Sequence, residues 1–173
     1  YFNHIWYAFE FQDPFFGSGA QFGLRYMGYL CAPGFLMMNG AMLYYVFHRR
    51  RQAGESARSV HWGFVQRGLF LVAVQAVWVN ASWSAFDRVR LNHLGIIATI
   101  GLSMILLVGM VGWRWQWRAA VVAALFIAHP FLLRIPYDIK GAAHFPMELL
   151  VTSGDFTKYP LVPWFALACL GSV

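Results

Sequence analysis

The sequence predicts an all-α fold, a polytopic transmembrane helical bundle with about six spans. Charged residues make up only 12% of the 173 residues, and 60% are hydrophobic, whereas a soluble domain carries about 25% charge. Long runs without acid or base recur along the chain, and several Trp and Tyr residues stand at their ends, where such rings settle at a bilayer interface. We expect one integral-membrane domain over residues 1–173, a portion of a longer chain with its first and last helices truncated.

In the first half, residues 26–47 form 22 positions without an acid or base, enough for a span at about 20 residues per crossing. Within this span, Pro33 predicts a kink, and Asn39-Gly40 predicts close approach of a neighbouring helix. The other elements of this half are the exit of a first helix at 1–9, a turn-rich loop at 10–23, a basic loop at 48–58, a third helix at 61–86 and a polar connection at 87–93.

In the second half, residues 94–113 are 20 positions without charge and predict the clearest span. His129-Pro130 interrupts the next span, because proline removes a backbone donor and frees a carbonyl one turn earlier. The other elements are a tight interfacial turn at 113–118, the interrupted span itself at 119–133, a charge-rich stretch at 134–164 and a last, truncated helix at 161–173.

Basic residues predict the orientation, since cytoplasmic loops of membrane proteins are enriched in Lys and Arg. Arginines are dense in the 49–60 and 113–118 loops, which we expect to be cytoplasmic. The 134–160 loop is then extracytoplasmic. The net charge of +6 belongs to these loops, and no basic tract with interleaved aromatic residues indicates a nucleic-acid partner. The lipid bilayer is the expected partner.

Placing an ionisable group at membrane depth costs free energy, so such groups indicate a function. Arg67 lies about two turns into the third helix; it either snorkels to the headgroups or faces the bundle interior and binds a phosphate of a cytoplasmic donor. His129 is either part of a structural kink or a functional group. No His-x-x-x-His or Glu-x-x-His pair occurs, so no metal site is predicted. A single histidine still suffices to ligate haem or chlorophyll, and pigment binding stays an open alternative.

His4 lies beside Asn3 at the outer end of the first predicted helix, close in sequence to Glu10 and Asp13. A histidine near the aqueous boundary, with a carboxylate to orient it, suits general-base chemistry on a hydroxyl or an amine. The alternative interpretation is an interfacial histidine among the neighbouring aromatic residues.

Several segments along most of the chain share a pattern. They are His4 followed by a loop ending in Phe15-Phe16-Gly17, Ala32-Pro33-Gly34-Phe35-Leu36 leading to Asn39-Gly40, Gln66-Arg67-Gly68, the run from Leu94 to Leu107, and Tyr159-Pro160-Leu161-Val162-Pro163-Trp164 with Gly171. Together they resemble the heparan-alpha-glucosaminide N-acetyltransferase-like family of bacterial membrane proteins.

The resemblance implies an acyltransferase-type helical bundle in the bacterial inner membrane. In that family an acetyl group from cytoplasmic acetyl-CoA reaches a sugar amine or hydroxyl across the membrane, and a histidine matching His4 is implicated. The family's opening helix, with its Arg- and Asp-bearing entry motif, has no counterpart in this sequence, nor do the later helices. The usual acid near the histidine is only approximated by Glu10.

Two hypotheses follow. In the first, an acyltransferase, His4 is the base, Glu10 or Asp13 orients it, and Arg67 holds the donor's phosphates. The residues expected on the acceptor side are Asn3, Asp138, His144 and Trp164. In the second, the chain is a non-catalytic subunit of a larger membrane complex, in which its aromatic spans dock neighbouring subunits or pigments. Convergence of the four polar positions His4, Arg67, His129 and His144 on one cavity would favour the enzyme.

Overall fold

The computed structural model of this chain describes residues 19–83, 93–138, 141 and 143–173, with side chains described from residue 30 onward except at position 83. Every regular element among these residues is helical, apart from an isolated parallel bridge between Leu94 and Thr157. The all-α class is therefore confirmed. The chain divides into two compact units, Tyr1–Phe35 and Leu36–Val173, with the boundary inside the first helix. The single integral-membrane domain stays a prediction.

Seven α-helices and one π-helical segment occur among the described residues. They are α1 (Gly19–Gln52), α2 (Ala57–Val74), the π segment (Gln75–Val79), α3 (Asn80–Trp83), α4 (Ile96–Val108), α5 (Trp115–Leu132), α6 (His144–Leu150) and α7 (Leu161–Gly171). By length and composition, Leu30–Gln52 and Ala57–Ser82 are able to cross a membrane. The count of about six spans stays a prediction.

Helix α1 is longer at both ends than the sequence predicted. It begins at Gly19, inside the predicted 10–23 loop, and ends at Gln52 after Arg49, Arg50 and Arg51. The predicted 48–58 basic loop is thus reduced to a turn at 53–56. The physical reason is that Arg and Gln are good helix formers, and cations in the last helical turn interact favourably with the helix dipole.

The WRWQWR segment is helical from Trp115 onward, whereas a turn was predicted over the whole of it. Arg114 caps α5, and the helix continues from Trp115 through Pro130 to Leu132. The reversal falls earlier, over residues 109–113, which shortens the predicted 94–113 span to α4. Glycine is a poor helix former, and the two glycines in 109–112 account for a turn there.

The turn between α1 and α2 is held by one acidic side chain. Arg50 donates from Nε to Oε1 of Glu55 at 2.7 Å, and Ser56 caps α2 by accepting the Ser59 N–H at 3.2 Å. Gly54 has φ +90°, a backbone conformation that favours glycine. The hydrogen bond from Arg50 lowers the pKa of the Glu55 carboxyl. The carboxylate is therefore the form that stabilises this turn.

Glycines allow two pairs of helices to pack backbone to backbone. A Cβ at Gly40 would collide with the Ala168 carbonyl of α7, and one at Gly171 would collide with the Met37 backbone of α1. A Cβ at Gly68 of α2 would lie 2.6 Å from the carbonyl oxygen of Gly101 in α4. Small residues at helix crossings permit this approach in membranes. The close approach predicted at Asn39-Gly40 is confirmed.

One core joins α1, α2, α4, α5 and α7 in the second unit. Leu43 of α1, Val60 and Phe64 of α2, Leu107 of α4 and Phe165 of α7 are among its buried members. Outward from the core, α1, α2 and the π segment expose large apolar side chains: Met38 is 60% exposed, Phe70 66% and Trp78 69%. Apolar surface of this extent marks a membrane or interaction face. It agrees with two helices that are long enough to span.

We predict that Gly68→Ala destabilises the protein while Gly63→Ala, in the same helix, does not. The new Cβ at position 68 would lie 2.5 Å from the Ile105 side chain and close to the Gly101 carbonyl, whereas at position 63 it meets only the flexible tip of Arg50 at 3.3 Å. Overpacking costs about 1–3 kcal/mol. Thermal unfolding in detergent measures the difference, and equal melting temperatures for the two variants would contradict it.

Candidate functional site

A buried carboxylate organises the segment between α5 and α7. Glu148 of α6 is 5% exposed, and its Oε2 accepts the Phe156 N–H at 2.8 Å. Its Oε1 lies 3.5 Å from Nε2 of His144, four residues earlier on the same helix face. Burying a carboxylate is costly unless it is hydrogen-bonded or paired, and these two contacts supply that compensation.

The loop reaches this carboxylate because residue 154 is glycine. A Cβ at Gly154 would collide with the Glu148 carboxylate. The Gly154 N–H donates to the Thr157 carbonyl at 2.8 Å, which turns the backbone so that the Phe156 N–H points at Glu148. The glycine at position 154 of the loop therefore leaves the space that the Glu148 carboxylate of α6 occupies.

His144 is packed on one side and unsatisfied on the other. Its ring stacks on Tyr137 with centroids 6.3 Å apart and planes 26° apart. The Tyr137 hydroxyl lies 3.2 Å from Thr152 Oγ1. Nδ1 of His144 is buried with no hydrogen-bond partner in the described part of the chain. We call Tyr137, His144, Glu148, Thr152 and Thr157 the loop cluster.

Thr157 fastens the loop cluster to the start of α4. It is 1% exposed, donates from Oγ1 to the Leu94 carbonyl at 2.7 Å and accepts the Tyr159 N–H at 3.0 Å. The Leu94 N–H in turn donates to the Phe156 carbonyl at 2.8 Å. One hydroxyl therefore closes a contact between segments 63 residues apart.

The π segment continues this network along the apolar helix. Gln75 is 2% exposed and donates from Nε2 to Asn80 Oδ1 at 2.9 Å. Asn80 donates from Nδ2 to the His93 carbonyl at 2.8 Å, and His93 Nδ1 donates to the Asp155 carbonyl at 3.0 Å. Single π turns in helices frequently accompany functional sites. Here the π turn contains Gln75, whose side-chain amide begins the series of hydrogen bonds that ends at Asp155, in the same loop as Thr157.

The arginine-rich end of the second unit holds a buried cation. Arg118 is 2% exposed, and its Nη1 donates to the carbonyls of Val111 at 3.0 Å and Trp113 at 2.8 Å. Its guanidinium carbon lies 4.5 Å from the Tyr44 ring centroid. These carbonyls and the ring face compensate the charge. Arg118 thus anchors the 109–113 turn, although the sequence placed it in an interfacial turn.

The predicted site residues lie in different places. His4, Asn3, Glu10 and Asp13 lie outside the described residues, so their roles stay predictions. Arg67 is exposed, and its guanidinium carbon lies 5.9 Å from the Phe64 ring centroid of its own helix.

The other predicted residues lie in or near the 134–160 segment. Asp138 is exposed, and its backbone carbonyl accepts the Gly141 N–H at 3.0 Å. Trp164 is half-buried, with its ring edge-on to Tyr159 at 5.0 Å. His129 donates from Nε2 to the Val151 carbonyl at 3.0 Å. Of the predicted site residues, His144 is the one that belongs to the loop cluster.

Sequence reasoning missed Glu148, Tyr137 and Thr157. The four-residue spacing of His144 and Glu148 was a usable signal, because residues four apart share a helix face. Tyr137 and Thr157 carry no comparable signal, since their partners are distant or backbone atoms. Among the described residues, no group of three or more His, Cys, Asp or Glu side chains is placed to hold a metal ion.

The comparisons agree with the resemblance carried by the motifs. The model of the family described as heparan-alpha-glucosaminide N-acetyltransferase, catalytic, matches residues 1–173, the whole of this sequence. Neither the comparison with curated proteins nor the comparison with solved structures found a match.

We predict that Thr157→Val weakens the loop cluster and Thr157→Ser does not. Valine keeps the shape but leaves the Leu94 carbonyl and the Tyr159 N–H without their partner, and each unsatisfied buried group costs about 1–3 kcal/mol. Serine keeps the hydroxyl. Thermal unfolding and hydrogen exchange at the Tyr159 amide measure the effect; a valine variant as protected as the serine variant would disprove it.

Proposed function

Because the chain belongs to the heparan-alpha-glucosaminide N-acetyltransferase family, we propose that this acyltransferase-like membrane protein moves an acyl group from cytoplasmic acyl-CoA to an extracytoplasmic sugar or amine. The single observation that carries the proposal is the family match over residues 1–173. The two apolar helices that are long enough to span support the membrane setting. Acetyl-CoA is the proposed donor.

The proposed architecture follows from charge and helix length. The 49–60 and 113–118 segments, with their arginines, face the cytoplasm of a bacterial inner membrane, and the 134–160 loop, which carries the loop cluster, faces outward. About six spans form the bundle. Helix α4 has 13 residues, about 20 Å at 1.5 Å per residue, so the segments at either end of it must complete a crossing of about 30 Å.

The proposed roles combine the two ends of the bundle. His4, oriented by Glu10, acts as the base near the outer surface, beside Asn3. Arg67 holds a phosphate of the cytoplasmic donor.

On the acceptor side we place His144, which belongs to the loop cluster, together with Asp138 and Trp164. The hydroxyl, imidazole and carboxylate groups there suit a polar acceptor such as an amino sugar, which carries both donors and acceptors.

Reconstituted protein in liposomes tests the proposal. With acetyl-CoA and glucosamine supplied on opposite faces, we expect acetylated glucosamine on the acceptor side. His4→Ala should lower kcat by about 100-fold or more, the usual contribution of a general base. His129→Gln is the control, because a glutamine amide still donates to the Val151 carbonyl.

Unchanged transfer by His4→Ala would remove the role of His4. A wild-type protein without transfer, purified only in a stoichiometric complex, would instead support the subunit hypothesis.

A further inference from the structure

Three helices carry an exposed arginine within about one turn of an exposed aromatic ring at the arginine-rich end of the second unit. The pairs are Arg49 and Tyr45 on α1, Arg58 and Trp62 on α2, and Arg114 and Trp115 at the start of α5. The three helix ends lie together, because the turn at 53–56 joins α1 to α2, and Arg118 of α5 lies over the Tyr44 ring of α1. We call these six residues the arginine–aromatic rim.

Beyond the rim, the same three helices expose apolar side chains. Met42 on α1, Leu69 on α2 and Ile127 on α5 are all exposed. The order along each helix is therefore a cation, an aromatic ring and then apolar surface. A membrane leaflet has the matching order of headgroup phosphate, interface and hydrocarbon. A soluble polyanion offers phosphates without an apolar layer beside them, so a lipid is the partner that fits all three parts.

The charge at this end is not balanced within the chain. Segments 49–60 and 113–118 contain six arginines and one acidic residue, Glu55, whereas segment 134–160 contains three Arg and Lys residues and three acids. Glu55 pairs with Arg50. Within the part of the chain that the structure describes, the guanidinium groups of Arg49, Arg58 and Arg114 make no ion pair or hydrogen bond. Their charges are free to meet an external anion.

Helix stability does not explain two of the rim arginines. Arg58 is the second residue of α2, and Arg114 is the N-cap of α5. A cation at a helix N-terminus is unfavourable, because the positive end of the helix dipole lies there. Arg118 differs, since it is buried one turn further into α5 and donates to the carbonyls of the preceding turn. An anion outside the helices offsets the repulsion that Arg58 and Arg114 experience.

We propose that the arginine–aromatic rim binds the headgroups of anionic phospholipids, of the phosphatidylglycerol type, in the leaflet that this end of the protein reaches. The three arginines bind the headgroup phosphates, and the rings lie at the depth of the interface. A zwitterionic lipid binds less well, because its ammonium group cancels the charge that the arginines attract. The binding does not depend on acyl transfer, and Arg67 is not part of the rim.

The test uses the protein in nanodiscs of phosphatidylcholine that contain a minor fraction of spin-labelled phosphatidylglycerol or spin-labelled phosphatidylcholine. Electron paramagnetic resonance measures the fraction of labelled lipid that the protein immobilises, which gives the relative association constant of the two lipids. We expect the wild type to prefer phosphatidylglycerol, and salt to weaken the preference. A variant that combines Arg49→Gln, Arg58→Gln and Arg114→Gln should lose at least about fivefold of it, the contribution of one arginine near an anionic surface.

A matched control separates the rim from net charge. Arg114→Gln and Arg134→Gln each remove one exposed arginine, from opposite ends of α5. We expect Arg114→Gln to lower the preference for phosphatidylglycerol and Arg134→Gln to leave it unchanged; equal losses overturn the proposal. Thermal unfolding reports the folding of each variant, and the single variants Arg58→Gln and Arg114→Gln carry the test if the triple variant does not fold.

Inorganic phosphate and acetyl-CoA, added at constant ionic strength, distinguish a lipid headgroup from a soluble phosphate. Neither should change the fraction of phosphatidylglycerol that is immobilised. Displacement of the lipid by either compound shows a site for soluble phosphates and overturns the proposal. A wild type without preference between the two lipids also overturns it, as does a folded triple variant that keeps the wild-type preference.

Discussion

The buried carboxylate of Glu148 is the contact on which the arrangement of the loop cluster depends. Its Oε2 accepts the Phe156 N–H, and its Oε1 faces Nε2 of His144. Because Phe156 also pairs with Leu94, the carboxylate sits at the junction of α6, the loop and the start of α4. A group this buried tolerates few arrangements of its surroundings, and it therefore gives the loop a defined shape.

At these crossings the helices pack through backbone contacts at glycines and not through interdigitation of large side chains. Glycines at positions 40, 68, 101 and 171 let carbonyls and main-chain atoms of neighbouring helices meet. In a bilayer the lipid tails are as apolar as the side chains, so close packing and hydrogen bonds replace the hydrophobic driving force between helices. The hydrogen bonds that run from Gln75 towards the loop cluster are consistent with this kind of packing.

The two ends of the second unit have different chemistry. One end carries clustered arginines, with Arg118 buried against carbonyls and the Tyr44 ring. The other carries a histidine, a carboxylate, hydroxyls and a tyrosine. The proposed function uses this division, because an anionic thioester donor and a polar acceptor are recognised by groups of different charge and hydrogen-bonding capacity.

The sequence by itself determined the helical membrane class, the close approach at Gly40 and the family, since scarce charge, long apolar runs and short motifs are local properties. It misplaced the boundaries near Arg49 and in WRWQWR, because arginine and tryptophan fit helix ends and loops alike. Only the tertiary structure decided that Glu148 is buried beneath the loop and accepts the Phe156 N–H, and that Arg118 is buried. Tertiary contacts of this kind join residues that are distant in sequence, such as His93 and Asp155, which are hydrogen-bonded although 62 positions separate them. No local sequence pattern specifies which distant residues meet.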